Sequence, residues 1–144
     1  MVIHPGKGVG GITFGATVDE VKAILGEPSS VRNSEGLCTL DYVDKEFGGA
    51  YFFADKLVTI IVAPTEDTIL WDKPLYRMSE IELEGLLSSH GHAFTSIPRR
   101  HPAIFDQLDA PTAGLTFSLL ENCCDDIVVG ELRNVTWAPK DWVS

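Results

Sequence analysis

The sequence predicts an α+β domain, with two short helices packed on an antiparallel sheet. Two segments, starting at Thr17 and Ser79, have the end signals of short helices. Alternating and β-branched runs follow each of them, joined by short turn-like links. The apolar residues of both helices also fall at the same offsets from their caps, so the chain reads as two tandem helix–strand–strand–strand units. With 144 residues and 44% hydrophobic content, it is long enough to bury a core as one domain. We read 1–144 as that domain, with candidate subrepeats at 12–62 and 76–137.

The first helix begins at Thr17, an N-cap residue, with Glu20 three positions on to complete a capping box. Val21, Ile24 and Leu25 then share one face of a 3.6-residue period. Gly26 offers a left-handed terminus and Pro28 prevents the helix resuming. Cys38-Thr39-Leu40-Asp41-Tyr42 alternates as a half-buried strand does, Gly48-Gly49 reads as a turn, and Ala50-Tyr51-Phe52-Phe53 reads as the next strand. Asp55-Lys56 leads into Leu57–Val62, the most β-prone run in the chain. The polar stretch Ala63–Thr68 connects the two units.

Ser79 and Glu82 form the second capping box. Leu83, Leu86 and Leu87 stand at the offsets from Ser79 that Val21, Ile24 and Leu25 hold from Thr17. Gly91 closes this helix. Gly114–Leu119 matches the strand at Gly49–Phe53, and Leu132–Trp137 matches Leu57–Val62. That alignment leaves Glu121–Asp126 as a turn or inserted loop.

Phe14-Gly15-Ala16-Thr17-Val18-Asp19-Glu20-Val21, followed by Leu25-Gly26-Glu27-Pro28, resembles the opening of a known module. Helix-plus-sheet modules of the bacterial outer-membrane assembly lipoproteins and of the β-lactamase inhibitor protein start and end their helix in this way. They continue into strands of the form seen in Phe53-Ala54-Asp55-Lys56-Leu57-Val58-Thr59-Ile60. The resemblance implies the fold and a sheet surface offered to a protein partner. In size, acidity and lack of catalytic motifs, the profile is similar to that of bacterial toxin immunity proteins.

Composition narrows the function. The chain has 21 acidic against 11 basic residues, a formal charge of −10. Residues 1–72 carry 11 acidic and 5 basic groups, and 73–144 carry 10 and 6, so the excess is spread over the chain. Arg99-Arg100 is the single adjacent basic pair. Nucleic acid and anionic lipid are therefore disfavoured as partners, and a basic protein is favoured. Nothing resembles a secretory signal or a membrane span, so the expected location is the cytoplasm. Three cysteines, Cys38, Cys123 and Cys124, read as reduced thiols rather than a disulfide framework.

Catalytic motifs are weak. Gly6, Gly8 and Gly11 formally make G-x-G-x-x-G, but the helix that should hold a phosphate starts too late, so the run reads as a flexible N-terminal turn. His90, His92 and His101, with Cys123, Cys124, Asp125 and Asp126, leave a metal site or a small hydrolase as the alternative function. Ser88-Ser89-His90 cannot form a triad alone, and Glu80, Glu82 and Glu84 suit the start of a helix. Aromatic residues beside acids favour binding instead. The expected contacts with a basic toxin or enzyme are Asp41, Tyr42, Tyr51, Trp71, Asp72, Asp125, Asp126 and Trp142, with no cofactor and no metal.

Overall fold

A computed structural model describes residues 1–43 and 46–130. The chain opens with short strands β1 (Val2–His4), β2 (Gly8–Val9) and β3 (Ile12–Thr13), then enters helix α1 (Val18–Leu25). A meander follows: β4 (Ser30–Ser34), β5 (Leu37–Asp41), β6 (Phe47–Phe53) and β7 (Lys56–Val62). The hairpin of β8 (Ile69–Leu70) and β9 (Lys73–Pro74) leads to helix α2 (Glu80–Ser89). A second meander contains β10 (Thr95–Ile97), β11 (Asp106–Ala110), β12 (Leu115–Leu120) and β13 (Cys123–Gly130). The α+β class and the two helices agree with the sequence reading. Among the described residues, however, each meander has four strands rather than three.

The two meanders join through β7 and β13 into one antiparallel sheet, ordered β10-β11-β12-β13-β7-β6-β5-β4. At the seam Ile61 faces Val128, Ile60 faces Val129 and Val62 faces Ile127. Each closing strand also starts against the entry to its own helix. The Leu57 N–H donates to the Ala16 carbonyl at 2.8 Å, and the Cys124 N–H donates to the Met78 carbonyl at 2.9 Å. Counted from Leu57 and Cys124, the seam pairs map onto themselves when the halves are exchanged. An approximate two-fold axis therefore passes between Ile61 and Val128.

One face of this sheet carries the core. Leu40, Phe52, Ile60, Val62, Leu108, Leu115, Phe117, Ile127 and Val129 pack with Val21 of α1 and Leu83, Leu86 and Leu87 of α2. The small sheet, ordered β3-β2-β1-β8-β9, adds Ile3, Val9, Ile12 and Leu70 to the same core.

Local chemistry explains the turns and the departures from expectation. Thr17 accepts the Glu20 N–H, while Ser79 and Glu82 make both halves of a capping box. Gly26 ends α1 at φ 85 and ψ −169, a region open to glycine but not to other residues, rather than in the left-handed helical well. Ile24 is 57% exposed instead of core-facing. The packed stripe runs through Val18, Val21 and Leu25, and Ile24 lies roughly 90° round the helix from its centre.

Gly48 and Gly49 are not a turn. They lie inside β6, where the pairing slips between Phe47 and Gly49. A Cβ on Gly48 would sit 3.3 Å from the Ile61 Cγ2, so glycine marks a bulge and a close approach. Of the N-terminal glycines, Gly8 lies in strand β2, while Gly6, Gly10 and Gly11 sit in the turns that join β1, β2 and β3. A Cβ on Gly8, at φ 154, would lie 2.0 Å from the Ile12 carbonyl oxygen.

Of Glu121–Asp126, expected as a turn or inserted loop, only the first two residues are a turn. Glu121 and Asn122 form a two-residue turn with φ 51 and 65, and β13 starts at Cys123. Three other hairpins turn in the same way, at Glu35-Gly36, Ala54-Asp55 and Trp71-Asp72, each with positive φ at both positions. That is the turn whose twist matches the flanking strands. The strand expected at Leu132–Trp137 lies outside the described residues.

Candidate functional site

Side chains directly opposite one another in a sheet share a face. By register, the face turned away from the helices carries Asp41 and Thr39 on β5, Tyr51 on β6, and Thr59 and Ile61 on β7. Beyond the seam it carries Val128 and Asp126 on β13, Thr116 and Ser118 on β12, and Asp109 on β11. None of these residues belongs to the helix-packed core cluster. This second face is rich in threonine and carboxylate, and Tyr51 is buried within it.

The carboxylates of this face differ in their partners. Asp41 is bound in a fork by Arg32, with Nε 3.0 Å from Oδ2 and Nη2 3.1 Å from Oδ1. It also accepts from the Ser30 hydroxyl at 3.0 Å. The hydrogen bond and charge of Asp41 raise the Arg32 pKa above its ordinary value. Asp109 accepts the Thr116 hydroxyl at 2.8 Å.

Asp126 is half-buried, and the ion pairs among the described residues engage Glu46, Glu27 and Asp41 but not Asp125 or Asp126. Burial pushes the Asp126 carboxyl up, and the neighbouring charge of Asp125 adds to it. Asp125 itself is exposed, at the extra residue where β13 slips against β12 between Ser118 and Leu119.

The residues expected to meet a partner are therefore not all together. Asp41, Tyr51 and Asp126 share the second face, with Asp125 beside them. Asp41 and Asp126 stand three strands apart, roughly 14 Å. Tyr42 is 3% exposed on the helix side and donates its hydroxyl to the Gly26 carbonyl at 2.9 Å, which makes it a fold contact rather than a surface one. Trp71 and Asp72 occupy the β8–β9 turn, away from the second face. Trp142 lies outside the described residues.

Trp71 has a different use. Its ring stacks on His90 at 4.2 Å with planes 9° apart, and on His92 at 5.3 Å and 15°. His90 Nδ1 lies 3.1 Å from the Leu86 carbonyl oxygen, and His92 Nδ1 lies 2.9 Å from the Thr112 hydroxyl. This stack ties the small sheet to the C-terminal end of α2.

The structure does not gather the histidines and cysteines. His90 and His92 are at the C-terminal end of α2, whereas Cys123 bridges Ser79 at its N-cap. The ten-residue helix separates them by about 15 Å. His101 is in the β10–β11 loop. Cys123 and Cys124 point to opposite faces of β13, as adjacent strand residues must. Burial, followed by Asp126, Asp125 and Cys123, pushes the Cys124 thiol up to about 12, far from an activated nucleophile. Among the described residues, no group of three His, Cys, Asp or Glu side chains is placed to hold a metal ion.

One feature went unused in the sequence reading. The β10–β11 loop lines a cavity of about 630 Å³, with Arg99, Arg100 and His101 among the lining residues. The visible signal was the adjacent basic pair in an acidic chain.

No helix among the described residues is long and apolar enough to cross a membrane. No family model, curated protein or solved structure matches the chain.

Proposed function

We propose that this protein is a small acidic binding module that neutralises a basic protein by stoichiometric contact, in the manner of a toxin immunity protein. Its partner is a basic toxin or enzyme, and its place of action is the bacterial cytoplasm. Neither nucleic acid nor a membrane surface is its target, and it needs no cofactor. The observation that carries the reading is Asp126, half-buried beside Asp125 and engaged by no ion pair among the described residues, in a chain of formal charge −10. Desolvating a carboxylate next to a like charge is unfavourable. A Lys or Arg side chain supplied by a partner would relieve that cost and give the contact its specificity. The hydrolase or metal-enzyme reading has less support, because its histidines and cysteines are dispersed and the Cys124 thiol is held protonated.

The test is to purify the protein that the chain captures from its native cytosol and titrate the two together. The proposal expects a basic partner, a 1:1 complex and loss of the partner's activity on binding. A captured protein that is acidic, or whose activity is unchanged at saturation, would overturn it.

A further inference from the structure

We infer that the β10–β11 loop forms a binding site for a small amphipathic anion, a molecule with a flat apolar body and a phosphate or carboxylate head. The site lies at the β10–β11 end of the second sheet face, where Ile97 and Gln107 stand in register with Ser118 and Asp126, and its charge is opposite to that of Asp126. The loop and its flanks line a half-open cavity of about 630 Å³, within the range of small-molecule sites. Ile97, Pro102 and Phe105 supply apolar walls, and Arg99, Arg100 and His101 follow one another along the same lining.

Among the described residues, no carboxylate pairs with the cations there. In a chain with 21 acidic residues, neither Arg99 nor Arg100 takes part in the ion pairs of the described residues. The nearest carboxylate along the chain, Asp106, is already engaged. Its Oδ1 accepts the Arg99 backbone N–H at 2.8 Å, which shapes the loop rather than neutralising a guanidinium. Two guanidinium groups in sequence can meet an oxyanion with paired N–H donors, a geometry that lysine does not offer. The apolar walls make a bare inorganic ion a poor match, because it would leave them wet. An aromatic ring bearing the anion fills the walls and the forks together.

The experiment is titration calorimetry of the full chain with phenyl phosphate and with benzoate, beside inorganic phosphate and neutral benzyl alcohol. We expect phenyl phosphate or benzoate to bind at least tenfold more tightly than either comparator. The doubly substituted Arg99→Gln/Arg100→Gln variant should lose at least tenfold of that affinity, with an unchanged circular-dichroism spectrum and melting temperature. Amide shifts of the bound wild-type protein should cluster in residues 97–107. The inference is overturned if the ring-bearing anions bind no better than the comparators, or if the double variant keeps wild-type affinity. It is likewise overturned if the shifts centre on β5, β6 and β7 instead of residues 97–107. None of these results bears on the capture of a basic protein, so the two proposals fail separately.

Discussion

Cys124 and Asp126 lie two residues apart on β13, and burial raises both their pKa values. For Cys124 the consequence is chemical inertness. With Ellman's reagent at mildly alkaline pH, we expect half-exposed Cys123 to react first, Cys38 more slowly, and Cys124 only after unfolding. Fast labelling of Cys124 in the folded protein would contradict its placement. For Asp126 the consequence is a stability cost. Its folded-state pKa is above the unfolded value, so the folded state holds more protons between the two values. Stability therefore falls as pH rises through that window, and the loss persists above it. We predict that Asp126→Asn raises the melting temperature at pH 7 and has a smaller effect below the unfolded carboxylate range. A melting temperature lowered at pH 7 would show that the carboxylate is stabilising as it stands.

At the scale of elements, both helices were legible because their signals are local. A cap, an apolar period and a terminating glycine all lie within ten residues or so of one another. Thr17→Ala and Ser79→Ala should each cost about 1 kcal/mol in urea unfolding, since each removes a side-chain acceptor from a helix end. No change in either variant would argue against the caps. The central strands β5, β6, β7 and β12 were legible from alternation and β-branching. The others were hidden for physical reasons. β4 is exposed along its whole length at the sheet edge, so no face needed apolar residues. β2, β3, β8 and β9 have two residues each, too few to show a period. Glycine misled at Gly48-Gly49 and at Gly8, because it serves close approach as readily as turning. Gly8→Ala should therefore destabilise the small sheet by more than about 1 kcal/mol, read as a lower urea midpoint. An unaltered midpoint would mean that the β2–β3 approach can relax.

At the scale of the molecule, two four-strand meanders share one continuous sheet. The helices and the small sheet cover one side, and the second side carries Asp41, Asp109 and Asp126. How charge divides between the faces was not legible in the sequence, because it depends on strand register across the seam. Nor could the chain alone separate Tyr42, which serves the fold, from Tyr51, which lies on the second face. The acidic balance was legible, and the sheet gives part of it a location. The measurement that tests this most directly is parallel affinity capture from a lysate of the native cells, with wild-type protein and Asp125→Asn/Asp126→Asn as baits at low and high salt. The account predicts one dominant basic protein on the wild-type bait, weakened by salt and strongly reduced on the double variant. Equal recovery on both baits, or the absence of any partner specific to the wild type, would contradict it.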